Sequence, residues 1–143
     1  MPPQARIVLD TNVLVAALRS RRGASFRLLS LLGEDRFVVS VSVALVLEYE
    51  DALLRTVAEG PLTEDEVADV LDYLCAVAWK QEVFFLWRPF LRDPKDDLVL
   101  EVAVAAGCNR IVTFNRRDFR GCEQFGIQAV TPREFLLEIG ALL

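Results

Sequence analysis

Arg6-Ile7-Val8-Leu9-Asp10-Thr11-Asn12-Val13-Leu14-Val15 is the stretch that decides the fold. Ile7, Val8 and Leu9 make a short apolar run of the kind that fills a buried strand, and Asp10 sits where that strand must end. The apolar pattern resumes at once, so the strand passes almost directly into a helix. A carboxylate costs several kcal/mol to bury without a partner. In an open parallel sheet, ligands gather at the carboxyl ends of the strands. Asp10 is therefore a candidate site residue, and also a candidate N-cap for the helix that follows.

Working outward, the chain alternates between strand and helix signals. Strand one covers about residues 6–10, and helices follow at about 12–19 and 24–32, separated by the basic turn Arg19-Ser20-Arg21-Arg22-Gly23. Phe37-Val38-Val39 is a second strand, after which Ser40 or Ser42 caps a long helix running to about Ala58. Thr63 and Glu66 form a capping box for a helix over about 64–77, and residues 82–87 read as a short strand. Asp93-Pro94 places an N-cap before a first-turn proline, so a helix runs from about 94 to 106 and stops at Gly107. Arg110-Ile111-Val112-Thr113 and Gln128-Ala129-Val130 are the last strands, and Thr131-Pro132-Arg133-Glu134 opens a terminal helix. Strands alternating with helices predict an α/β layered fold on a parallel sheet.

The 143 residues suffice for one domain, 1–143, with a full core. An apolar fraction of 53% predicts extensive burial and an apolar surface open to sharing with another chain. Leu98–Ala106 is too short to cross a bilayer and the N-terminus shows no signal-peptide pattern, so no membrane role and a cytoplasmic location are expected. Cys75, Cys108 and Cys122 make no CxxC pair and read as buried thiols. The absence of histidine excludes Ser-His-Asp and Cys-His nucleophilic catalysis and any histidine-bound zinc. With 21 acidic against 16 basic residues the chain is not a passive nucleic-acid coat. Any contact with nucleic acid would use a local basic patch beside an acidic centre.

Four places carry acids or amides to strand ends or helix starts. The first is Asp10 with Asn12. The second is Glu48 or Glu50, which at roughly 100° per residue lie on opposite flanks of the stripe Leu45, Val46, Tyr49, Ala52, Leu53. Val43, Leu47 and Leu54 accompany Glu50 as a second apolar row, whereas Ala44, Asp51 and Arg55 accompany Glu48. Periodicity does not choose between the two glutamates. The third place is Arg92-Asp93-Pro94-Lys95-Asp96-Asp97, in which Asp93 reads as the cap and Asp96 as a first-turn acid that complements the helix dipole. Asp97 opens a helix that is apolar almost all round, with Glu101 one turn beyond on the same face. Like charges at that spacing repel, and a nearby cation would relieve them. The fourth is Thr113-Phe114-Asn115-Arg116-Arg117-Asp118, where a buried strand runs into an amide and then an acid. Carboxylates from separate elements, with no histidine or cysteine among them, describe an oxygen-only site suited to Mg²⁺ or Mn²⁺. Such ions activate water and stabilise charge on a phosphoryl group.

These residues resemble the PIN domain family, and within it the VapC-like toxin ribonucleases. The likeness runs through Val8-Leu9-Asp10-Thr11-Asn12-Val13-Leu14, the region from Val39-Ser40 to Arg55, Arg92-Asp93-Pro94-Lys95-Asp96-Asp97, Ile111-Val112-Thr113 and Val130-Thr131-Pro132-Arg133-Glu134-Phe135-Leu136. It implies a three-layer α/β/α fold with a central parallel sheet flanked by helices. It also implies a metal-dependent ribonuclease that hydrolyses single-stranded RNA to 5′-phosphate products. The family acids map onto Asp10, Glu48 and Asp97 as metal ligands, and this mapping is what selects Glu48 over Glu50. A fourth family acid follows the threonine by two residues, where this chain has Asn115, an amide without charge. Asp118 stands three residues further on as its replacement.

The mechanism implied is attack of a metal-activated water on phosphorus, in line with the leaving oxygen. Thr11, Asn12 and Thr113 would position acids or water by hydrogen bonds, and Arg19, Arg21, Arg22, Arg116 and Arg117 would carry backbone phosphates. Toxins of this type work beside a small antitoxin protein and are often homodimers. Two other readings compete. One is a PIN-like RNA- or protein-binding module with weakened catalysis, which Asn115 leaves room for. The other is a haloacid dehalogenase-like phosphatase with Asp10 as nucleophile, which expects an acid where Asn12 stands and a lysine later than Lys95, the last in the chain.

Overall fold

In the computed structural model, residues 4–84 and 90–141 are described. Five strands, β1 (Ala5–Leu9), β2 (Phe37–Val41), β3 (Trp79–Lys80), β4 (Arg110–Val112) and β5 (Gln128–Val130), form one sheet in the order β3-β2-β1-β4-β5. Every pairing is parallel. Six helices accompany them: α1 (Thr11–Arg19), α2 (Ala24–Ser30), α3 (Val43–Val57), α4 (Glu64–Val77), α5 (Pro94–Ala105) and α6 (Pro132–Glu138). The fold is a three-layer α/β/α sandwich. Parallel strands with helices on both faces are apolar on both sides, and Ile7, Val8 and Leu9 are accordingly all buried.

The local signals act where expected. Thr63 with Glu66 and Thr131 with Glu134 close reciprocal capping boxes on α4 and α6. Asp93 accepts from the Lys95 amide and Pro94 occupies the first turn of α5, which ends ahead of Gly107 at φ +68°. Of the two serines before α3, Ser42 is the cap, accepting from the Leu45 amide at 3.1 Å. Ser40 is buried within β2, next to the Cys108 thiol.

Two features depart from expectation. The strand anticipated over 82–87 lies earlier, at Trp79–Lys80, directly after the α4 C-cap. Residues 82–84 belong to no strand, and 85–87 fall outside the described residues. The register Ser40↔Trp79 and Val41↔Lys80, extended by the Gln81 amide donating to the Val41 carbonyl, leaves β3 two residues long on the sheet edge. The second departure is a pair of 3₁₀ turns, Arg116–Phe119 and Cys122–Phe125, in the connection from β4 to β5.

α5 lies against β1, β2 and β4. Val99, Leu100, Val102 and Ala103 are all buried, as a helix apolar on every side requires. Full burial of each valine or leucine contributes about 1.5–3 kcal/mol. α3 buries Leu45, Tyr49 and Leu53, while Val43 (79% exposed), Leu47 and Leu54 remain on the surface. Cys108 and Cys122 are buried and Cys75 is partly so. Among the described residues no helix is long and apolar enough to cross a membrane.

Candidate active site

The site is built at the carboxyl ends of β1 and β4. Asp10 leaves β1 in an extended conformation and caps α1, its Oδ1 accepting from the Thr11 amide at 2.8 Å. Its Oδ2 accepts from the Thr113 hydroxyl at 2.7 Å. Thr113 continues β4 and is fully buried, and its Oγ1 in turn accepts from the Asn115 amide at 2.9 Å. A short chain of hydrogen bonds thus runs from the turn after β4 into the carboxylate after β1. Asp10 is 7% exposed, and that burial raises its carboxyl above the ordinary carboxylate range. The Thr113 and Thr11 bonds oppose the rise, while the charges of Asp118 and Asp93 add to it. Capping and a place in the acidic centre are combined in one side chain. Beside it, Asn12 holds a buried Oδ1 with no hydrogen-bond partner among the described residues.

Tyr49 fixes α3 to the same end of β1. Its hydroxyl donates to the Leu9 carbonyl, and complete burial, reinforced by the Asp10 charge, pushes its pKa well up. With Tyr49 facing inward, the flanking glutamates part company. The Glu48 side chain is only 12% exposed and meets Lys95 Nζ at 3.8 Å, whereas Glu50 is exposed. Lys95 belongs to the first turn of α5, so this contact carries Glu48 toward the acids of that helix.

The Asp96-Asp97 pair divides by burial. Asp97 is 3% exposed, with Oδ1 accepting from the Leu91 amide at 3.0 Å and Oδ2 buried without a hydrogen-bond partner. Asp96 is half-buried, and its carboxyl is pushed up to about 7, first by burial and then by the charges of Asp10, Asp118, Asp93 and Asp97. Adjacent helical residues diverge by about 100°, so only one of the pair can face a given neighbour. Asp96 feels the charge of Asp10. The sequence pattern placed Asp96 in a dipole role because α5, apolar all round, offers no stripe by which to orient the pair. Glu101 is buried one turn beyond Asp97.

Asn115 precedes the 3₁₀ turn that carries Asp118, and the Asp118 amide donates to the Asn115 carbonyl at 3.0 Å. Both side chains are exposed, and the Asp118 charge acts on Asp10 and Asp96. Of the candidate phosphate-binding arginines, Arg19 pairs with Glu59 and Arg116 with Glu134, each at 3.2 Å. Arg21, Arg22 and Arg117 are exposed.

Asp10, Asp93, Asp96 and Asp118 thus share one field, and Glu48 borders it. Among the described residues no three acids stand close enough together to hold an ion as placed. The donor chemistry nevertheless fits a hard divalent cation. The groups are all oxygen donors from the starts of α1 and α5 and the turn after β4, and the rise at Asp96, due first to burial and then to its acidic neighbours, includes a repulsion that a cation would relieve.

A family model described as PIN domain matches residues 6–117 of the chain. No match to a curated protein was found.

Proposed function

We propose, from the premise that the chain belongs to the PIN domain family, that it is a Mg²⁺- or Mn²⁺-dependent ribonuclease acting on single-stranded RNA. Family membership carries a nuclease-type function. The metal, the RNA preference and the site residues are our reading. The observation that supports it best is the buried Asp10 at the end of β1, tied to Thr113 and sharing its field with Asp93, Asp96 and Asp118.

In this reading Asp10, Glu48 and Asp96 would hold the ion, with Asn115 and Asp118 at its edge. For Asp97, the acid that the family likeness names, we favour a supporting place, because its Oδ1 accepts from the Leu91 amide. When bound, the ion lowers the pKa of a coordinated water and stabilises charge at the phosphoryl group. The chain's own contribution is placement. Thr11 and Thr113 fix the plane and direction of the Asp10 carboxylate, and the Tyr49 anchor sets the height of Glu48 on the site. Exposed Arg21, Arg22 and Arg117 offer backbone phosphates a path past the acidic centre. Asn115 supplies an amide where the family pattern has an acid, which lowers the charge available for a second ion.

A VapC-like toxin role, in the cytoplasm and beside an antitoxin protein or a second copy of the chain, extends the same reading. An open groove of about 780 Å³, lined in part by Val43, Val46, Leu47, Cys75 and Phe84, supports a protein partner. The deciding experiment is cleavage of a single-stranded RNA with Mn²⁺, with EDTA, and with an Asp10→Asn variant whose fold is verified by circular dichroism. Cleavage lost in EDTA and in the variant is expected. Undiminished cleavage in either would overturn the assignment. A wild type that binds RNA without cutting it would favour the binding-module reading that Asn115 leaves open.

A further inference from the structure

We propose that Asp97 is a positioning residue: its buried carboxylate grips the Leu91 amide and so holds the Phe90–Asp93 segment that leads the acids of α5 into the site. The Asp97 side chain reaches back six residues to make this bond, at 3.0 Å and away from solvent. A carboxylate accepting from a backbone amide makes a stronger bond than a neutral acceptor does. The same segment is held from a second side. The Phe90 ring packs edge-on against Phe125 at 5.5 Å between centroids. It also covers Gly121, where a Cβ would come within 3.4 Å of the ring at a backbone φ of +103°.

Phe90–Asp93 is therefore a strap clamped between α5 and the turn Cys122–Phe125. Its last residue, Asp93, caps α5 through the Lys95 amide and sets the entry angle of the helix. That angle decides where Asp96 stands relative to Asp10 and Asp118. A structure that left the strap loose would let the whole acidic turn drift, and a drift of about 1 Å is costly to a positioned reaction. The strap also accounts for a full aspartate at a nearly closed position. An aliphatic residue would fill the space but leave the Leu91 amide unpaired.

The effect on activity rests on the nuclease reading above, whereas the latch itself is measurable without it. Hydrogen exchange at the Leu91 amide, in protein without metal, should speed up by about tenfold or more in Asp97→Ala, and Asp97→Asn, which keeps an acceptor, should restore most of the protection. Should Asp97→Ala not fold, Asp97→Val also removes the acceptor while filling more of the space. In the active protein at saturating Mn²⁺, Asp97→Ala should lower kcat by about tenfold with little change in KM for RNA, and Asp97→Asn should recover most of it. Addition of Mn²⁺ should raise the melting temperature of Asp97→Asn but not that of Asp96→Asn. Unchanged Leu91 exchange in Asp97→Ala would overturn the latch. Loss of the Mn²⁺ response in Asp97→Asn, as complete as in Asp96→Asn, would overturn it in favour of Asp97 as a ligand. A wild type with no Mn²⁺ response and no cleavage would defeat the nuclease reading alone, and the exchange data would still decide the latch.

Discussion

Replacing Asp96 by asparagine should stabilise the metal-free protein at pH 8 and do far less at pH 4.5. The Asp96 carboxyl stands at about 7 in the folded chain against 3.8 for an ordinary aspartate. A displacement of that size separates the two protonation states by about 4 kcal/mol. Asp96 is half-buried, and solvent and salt screen much of the repulsion it feels, so about 1–2 kcal/mol is the expected effect on stability. The sign follows from proton linkage. Between 3.8 and about 7 the folded state holds a proton that the unfolded state has released, so stability falls as pH rises through that window. The penalty is absent below it and complete above about 7. Asparagine removes the penalty, and about 1–2 kcal/mol corresponds to a rise of roughly 3–8 °C in melting temperature for a domain of this size. Thermal unfolding of both proteins in EDTA at the two pH values measures it. A variant no more stable than wild type at pH 8, or equally stabilised at both pH values, would refute the repulsion among Asp10, Asp96 and Asp118. With Mn²⁺ the order should reverse, because only wild type would gain fully from the ion.

Other substitutions probe the surrounding bonds. Thr113→Val removes the hydroxyl between Asp10 and the Asn115 amide, leaving buried groups unpaired, and should cost about 1–3 kcal/mol in urea denaturation. A loss under about 0.5 kcal/mol would show that water replaces the hydroxyl. Lys95→Met releases Glu48 from its ion pair and should tighten Mn²⁺ binding severalfold by calorimetry, whereas weaker binding would make the ammonium a helper of the site. Gly121→Ala places a Cβ against Phe90 at positive φ and should destabilise the chain by about 1–2 kcal/mol in the same denaturation assay, with full stability meaning that the strap yields.

Much of the fold was legible because its signals are local. Two Thr-x-x-Glu boxes, the Asp93-Pro94 start and the Gly107 stop each act within one turn, and Ile7-Val8-Leu9 is apolar enough to mark the middle of a parallel sheet. β3 escaped because two residues carry no periodicity, and Trp79 and Lys80 are both exposed. The 3₁₀ turns at 116–125 escaped because they are set by φ values at Gly121 and Gly126 rather than by a pattern of apolar residues. In the site, Asp10 announced itself by its place at a strand end. Periodicity did not separate Glu48 from Glu50, because which of them is the less exposed depends on how α3 is rolled about the Tyr49 anchor. The inward turn of Asp97 had no local signal. It is decided by a bond to Leu91, six residues upstream.

The hydroxyl of Thr113 joins Asp10 across 103 residues of sequence. β1 lies between β2, which follows it closely, and β4, which comes far later in the sequence. Closing so long a loop is entropically late, and parallel pairing of this kind slows folding. During synthesis Asp10 emerges early, yet its supporting hydroxyl and the acids of α5 emerge far behind it. A growing chain on the ribosome therefore carries no assembled acidic centre until β4 has docked. Docking of β4 is thus the step that gives Asp10 its supporting hydroxyl, and assembly of the acidic centre is tied to a late, long-range event in folding.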